Sequence, residues 1–166
     1  RQSDVGRQKV NINDPIRDVF KVLGHQLTVH EVDLTLDLCD QLPWILADHN
    51  RLEQVFINLV TNAMDAMEKT GGKITLTAEK QIDEIVVTVA DNGPGIADAN
   101  LARVFDPFYT TKPVGKGTGL GLSICYGIIK KIGGDIKVHS LKGQGTTFEI
   151  HIPCTVEVKA PEQTAT

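Results

Sequence analysis

The sequence predicts an α+β domain in two layers, with helices on one face of a mixed, mainly antiparallel sheet. Three observations carry that prediction. Several short stretches alternate apolar and polar residues with a period of two. Two longer stretches repeat their apolar residues at helical spacing. Gly and Pro punctuate the boundaries without the regular strand–helix alternation that a parallel sheet would require.

Taken in order, "KVNIN" (9–13) alternates as a short strand, and "NDP" then supplies Asp14 as a helix cap with Pro15 at the first helical position. A helix of about three turns is expected to follow. "VDLTLDL" (32–38) alternates strictly and reads as a half-buried strand. After "LPWILAD" a long helix is predicted over 49–69, stopped by Gly71 and Gly72. Next, "KITLTAEKQ" and "EIVVTVAD" read as neighbouring antiparallel strands. From Asn92 to Gly119 the chain turns to Gly, Pro, Thr and Lys, too long for a plain connection and expected to be a lid or disordered. A helix is expected from about Leu120 to Ile132, ended by Gly133-Gly134. "DIKVHS" and "TTFEIHI" then flank the turn "LKGQG" as a final hairpin.

The bulk properties exclude several classes. The 166 residues are 41% hydrophobic, enough for one core and one domain. A formal charge of −4, with no basic face or tail, argues against nucleic acid and against direct contact with a membrane surface. Cys39, Cys125 and Cys154 are odd in number and set among apolar residues, as buried thiols in a reducing, cytoplasmic compartment would be. No apolar run approaches the roughly 20 residues that span a bilayer. Expected boundaries are a linker remnant at 1–8, the folded domain at 9–155 and a polar tail at 156–166.

Unexpected chemistry first shows on the long helix. Leu52, Val55, Phe56, Leu59, Val60, Ala63, Met64 and Met67 form its apolar stripe, with Gln54, Asn58, Asn62 and Asp65 gathered along one side. Asn58 and Asn62, one turn apart, project toward one spot. They are either capping or solvated amides, or side-chain carbonyls offered to a hard cation such as magnesium. Asp91 poses a similar choice, because "DNGPGI" (91–96) is a strong turn signal on its own. In "GKGTGLGLSI" (115–124), however, Gly117, Gly119 and Gly121 open a helix and leave backbone N–H groups for an anion. Neither a dinucleotide-binding βαβ context nor a Walker-type G-x-x-x-x-G-K-[ST] run accompanies them.

Four stretches in order, "NLVTNAMDA" (58–66), "DNGPGI" (91–96), "FDPFYTTK" (105–112) and "GTGLGLSI" (117–124), resemble the N, G1, F and G2 boxes of the ATP-binding catalytic domain of two-component sensor histidine kinases. This is the GHKL superfamily with its Bergerat-type fold, which also includes gyrase, mismatch-repair and heat-shock-chaperone ATPases. "DPFYTTK" and "GGKITLTA" are most similar to sensor kinases of the nitrogen-regulation and dicarboxylate-transport type.

The resemblance implies Mg²⁺ and ATP as cofactors and a role for each residue. Asp91 would accept a hydrogen bond from the adenine amine, supported by Thr146, with Gly93 and Gly95 keeping side chains away from base and sugar. Asn62 would hold Mg²⁺ against the triphosphate, with Asn58 and Asp65 beside it. Ile96, Phe108, Tyr109, Thr111, Lys112, Thr118, Leu120 and Leu122 would complete the site around the glycine cradle, Lys112 and Lys116 meeting phosphates. Phe105 and Phe108 would dock the lid hydrophobically. None of the five histidines sits in the family's phosphoacceptor pattern, so the γ-phosphoryl group would pass to a histidine on a separate dimerisation domain and onward to a response regulator. A superfamily ATPase that drives a conformational cycle, or a module that senses nucleotide without transfer, are the other readings. Asn58 stands where the hydrolytic members keep a water-activating Glu, and an amide cannot act as a general base.

Overall fold

Period-two alternation in five segments becomes one five-stranded sheet. The computed structural model describes residues 7–109 and 121–154. In chain order its elements are β1 (Gln8–Val10), α1 (Asn13–Val29), β2 (Val32–Leu38), β3 (Ile45–Ala47), α2 (His49–Ala66), β4 (Gly72–Lys80), β5 (Glu84–Asp91), α3 (Asp98–Leu101), α4 (Gly121–Lys131), β6 (Asp135–Leu141) and β7 (Gly145–Pro153). The large sheet runs β2-β4-β5-β7-β6, while β1 and β3 form a separate two-stranded antiparallel ribbon. Among the described residues only the β2–β4 pair is parallel, so the expected mixed, mainly antiparallel sheet is present.

Register explains why one face is covered. Leu36, Leu76, Val89, Phe148 and Val138 lie side by side across the five strands, and Leu38, Ala78, Val87, Ile150 and Ile136 form the next row. Residues one step along, such as Thr77, Thr88 and Glu149, point to the other face and are only half-buried. Against the apolar rows pack α1 through Ile16, Val19, Leu23 and Leu27, α2 through its predicted stripe, and α4 through Cys125, Ile128 and Ile129. The stripe of α2 is buried as expected, Phe56 and Val60 completely.

Several boundaries differ from expectation. Helix α1 begins at Asn13 and runs 17 residues, well beyond three turns. Asp14 is not its cap: the Asn11 side chain accepts the Asn13 N–H at 3.0 Å, and the Asn11 carbonyl accepts the Asp14 N–H at 2.9 Å. Asn13 itself is buried and donates to the Cys39 carbonyl at 2.8 Å, fastening the start of α1 to the end of β2. The three residues of β3 exist because β1 pairs with them, a long-range contact that no local pattern reports. Helix α2 ends at Ala66, short of Lys69, and the chain reverses at Gly71, whose φ of +67° and N–H bond to the Met67 carbonyl suit glycine. Within the expected lid, residues 98–101 form α3. The remaining lid residues 110–119, residues 1–6 of the expected linker and the expected tail lie outside the described residues. Contacts to the folded unit already include Arg7, which donates to the Lys131 carbonyl at 3.2 Å.

Candidate functional site

The alternation that buries Ile85, Val87 and Val89 on β5 places the next odd residue, Asp91, on the same core-facing side. Its neighbours in register are Ile74 on β4 and Thr146 on β7, and Thr146 in turn pairs with Ser140 on β6. One end of the apolar sheet face thus becomes polar, and Asp91 looks into the helix layer rather than out to water. Burial pushes its carboxyl above the ordinary value of 3.8, while backbone N–H groups of Gly93 and Thr146 pull the other way. The Gly93 N–H lies 2.8 Å from Asp91 Oδ1.

The stretch after Asp91 is strapped to the β6–β7 hairpin. The Ile96 N–H donates to Ser140 Oγ at 2.7 Å, and Ser140 Oγ donates to the Gly145 carbonyl at 2.8 Å. The Thr146 hydroxyl, 2.9 Å away, completes the shell of a serine that has one proton to give. Thr146 is buried, 7% exposed. Gly143 N–H bonds the Pro94 carbonyl. Asn92 continues the sheet, its side chain accepting the Lys73 N–H at 2.8 Å.

The glycines have separate reasons. A Cβ on Gly93 would lie 3.0 Å from both Asp91 Oδ1 and Met67 Cγ, so the glycine keeps clear the space before the carboxylate. Gly95 sits at φ +78°, and a Cβ there would run into the Leu141 carbonyl. Close packing against the hairpin therefore requires glycine at this position.

Met67, just past the end of α2, brings the helix to this loop. Asn62 lies five residues earlier, about 7.5 Å along the axis. Among the described residues the half-buried Asn62 carboxamide has no hydrogen-bond partner and is available to a ligand. Asn58 is committed: its Nδ2 donates to the Gly121 carbonyl at 3.4 Å, and its side chain bonds Cys125. It thus ties α2 to the start of α4. Cys125 is buried, its thiol pushed up to about 12, with Sγ 3.7 Å from the Val55 carbonyl. That makes it an inert core residue.

Phe105 packs against Tyr126 and Phe148, with ring centroids 5.4 and 6.1 Å away, as a lid anchor should. Phe108 does not: at φ +69° it turns outward and is 73% exposed, so the expected hydrophobic docking by Phe108 is absent. The Tyr109 ring lies under the Arg103 guanidinium at 4.6 Å. Asp65 is exposed on α2, and Leu122 packs half-buried against the core. A Cβ on Gly121 would meet open space. Thr111, Lys112, Lys116, Gly117, Thr118, Gly119 and Leu120 lie outside the described residues. Ser140 and Gly145 were not anticipated. The alternation Ile136, Val138, Ser140 was the available signal for the first, and Gly145, at φ +116° with no room for a Cβ beside the Asp91 carbonyl, was hidden in a turn.

The family model described as histidine kinase-, DNA gyrase B-, and HSP90-like ATPase matches residues 47–156, and the chain belongs to that family. The sensor kinase CckA of Brucella abortus (strain 2308) is 38% identical over 174 aligned positions, covering 96% of this chain and 18% of the relative. The chain thus spans less than a fifth of that relative's length. The nucleotide-free catalytic domain of histidine kinase ThkA superposes with a TM-score of 0.77 at 35% identity, covering 89% of this chain and 95% of that one. Full-length ShkA, solved in complex with AMPPNP, gives a TM-score of 0.78 at 32% identity, covering 89% of this chain and 31% of that one. In extent and fold the chain matches the catalytic domain of a histidine kinase.

Proposed function

We propose that this chain binds Mg-ATP and transfers the γ-phosphoryl group to a histidine on a separate dimerisation domain, in two-component signalling. The observation that carries the proposal is Asp91: a carboxylate on the core face of the sheet, desolvated, with Gly93 clearing the space before it. A partly desolvated carboxylate is costly unless its acceptor sites are filled. A carboxylate has acceptor capacity beyond the Gly93 and Thr146 N–H groups, which the exocyclic amine of adenine can fill, whereas guanine presents an acceptor there instead. Thr146 and Ser140 hold the carboxylate's neighbours in place.

The donor set also fits magnesium. Asn62 offers an uncommitted carbonyl oxygen, and Mg²⁺ prefers few protein oxygens together with water and phosphate. When bound, the ion neutralises charge on the phosphates during transfer. This chain's own residues read the base at Asp91 and orient the nucleotide along α2. Asn58, bonded to Gly121, contributes no general base, which favours transfer to a presented histidine over attack by water. The complex of ShkA with AMPPNP supports ATP as the nucleotide.

A response regulator is the next acceptor in this scheme, and the compartment is the cytoplasm. Among the described residues no helix is long and apolar enough to cross a membrane. The finer likeness to nitrogen-regulation and dicarboxylate-transport kinases rests on "DPFYTTK" and "GGKITLTA" alone. Calorimetry with ATP, ADP and GTP in the presence of Mg²⁺ tests the base-reading role. ATP and ADP are expected to bind and GTP to bind markedly less well; equal affinities would refute it.

A further inference from the structure

The α1–α2 contact carries a second cluster of ligand-type side chains, separate from the nucleotide site. Asp48 caps α2, its Oδ1 accepting the Asn50 N–H at 2.9 Å, and this sets His49 as the first helical residue. Glu53 follows at i+4, on the same side of the helix. Asp18 comes across from α1. His49 Nε2 lies 2.8 Å from Asp18 Oδ2 and 3.6 Å from Glu53 Oε1, and the three donor atoms all fall within 4.8 Å of one another. All three side chains are half-buried, so their packing restricts them while water still has access. Lys21 Nζ, 3.5 Å from Asp18 Oδ1, holds the other carboxylate oxygen and leaves Oδ2 turned to the imidazole. Glu53 also lines an open surface cleft with Asn50, Gln54 and Ile57, which gives an ion a route in.

We propose that Asp18, His49 and Glu53 form a binding site for a borderline divalent transition-metal ion of the zinc type, clamping α1 to the first turn of α2. The donor chemistry selects the class. One imidazole nitrogen and two carboxylate oxygens suit zinc or its neighbours, whereas magnesium favours oxygen alone. Ligand bonds of about 2.0–2.2 Å in a tetrahedron separate the donors by roughly 3.4 Å, between the 2.8 and 3.6 Å at which His49 Nε2 already meets the two carboxylates. The two carboxylates balance the charge of the ion. Binding replaces the proton on Nε2 with the metal and leaves the remaining coordination to water. His49 is thirteen residues before Asn62, about 20 Å along the helix axis, so the ion would not occupy the place of the nucleotide's magnesium. The inference stands whether or not the chain transfers phosphate.

The test uses the chelator-treated chain without nucleotide, titrated with ZnCl₂ and followed by calorimetry and by NMR of the histidine ring nitrogens. One equivalent of Zn²⁺ is expected to shift the His49 ring signals and to raise the Tm. Asp18→Asn and Glu53→Gln should each weaken binding at His49 at least tenfold while ATP affinity stays unchanged. These isosteric changes remove one ligand charge and little volume, and a retained ATP titration verifies folding. His49 signals that do not move with added Zn²⁺, or that move equally in both variants, would overturn the site. Zinc that binds elsewhere, at the exposed Cys39 for example, counts against it if His49 stays silent.

Discussion

Asp91 and Thr146 are register partners on β5 and β7, and both side chains stand on the sheet face that packs against the helices. The pairing puts an acidic group at the end of an apolar row and keeps a backbone donor beside it. Replacing Asp91 by Ala should remove a charge-assisted hydrogen bond to the nucleotide, a loss of about 1.5–3 kcal/mol or roughly ten- to a hundredfold in affinity. ATP calorimetry on the folded variant measures it.

The same carboxylate makes binding depend on pH. Its folded pKa is raised above 3.8, so its contribution to stability is present below 3.8 and is lost as pH rises through the folded value. At neutral pH the charged form costs the domain stability. ATP affinity should therefore fall as acidification protonates Asp91, beyond any decline shared with Asp91→Ala. Parallel pH profiles for the two proteins would remove Asp91 from the base-reading role.

Ser140→Ala should leave the Ile96 N–H without its partner and loosen Thr146, costing about 1–3 kcal/mol in stability. Nucleotide affinity should drop with it, because the loop after Asp91 is then held by fewer bonds. Urea unfolding together with ATP titration reads both effects.

Three glycines of left-handed backbone separate conformation from contact. Gly143→Ala meets open space at φ +87° and should cost about 1–2 kcal/mol. Gly95→Ala and Gly145→Ala add a collision with the Leu141 and Asp91 carbonyls and should cost distinctly more. Denaturant midpoints of the three variants rank them.

On the outer sheet face His151 Nδ1 meets Glu84 Oε2 at 2.7 Å, and this carboxylate raises the imidazole above its ordinary 6.5. The stabilisation is fully present below pH 6.5 and is lost as pH rises through the raised value. Glu84→Gln should thus destabilise the domain by about 1 kcal/mol at pH 6 and by less at pH 9. Thermal melts at the two pH values decide it.

How far the sequence shows all this depends on the range of the interactions. Period two is a local property, and it placed β2, β4, β5 and the final hairpin because each strand buries one face. Extending it by one step would also have set Asp91, Thr146 and Ser140 on the core side. The β1–β3 ribbon was illegible, since Ile45–Ala47 is too short to alternate and is stabilised by residues far away in the chain. Helix α1 outran its expected length because Leu23 and Leu27 bury against the core, which capping residues alone do not report. Phe108 was expected to dock the lid beside Phe105, yet its backbone conformation turns it outward. The side-chain bond by which Asn58 ties α2 to α4 was not legible, since its partner Gly121 lies 63 residues away in the chain.

The central claim is tested most directly by incubating the chain with labelled Mg-ATP, alone and with a separately made histidine-bearing dimerisation domain, while following free phosphate and protein-bound label. The account predicts acid-labile, base-stable phosphohistidine on the partner, slow phosphate release by the chain alone, no label on its own five histidines, and loss of transfer in Asn62→Ala. Rapid phosphate release by the unpartnered chain, with the dimerisation domain left unlabelled, would contradict it.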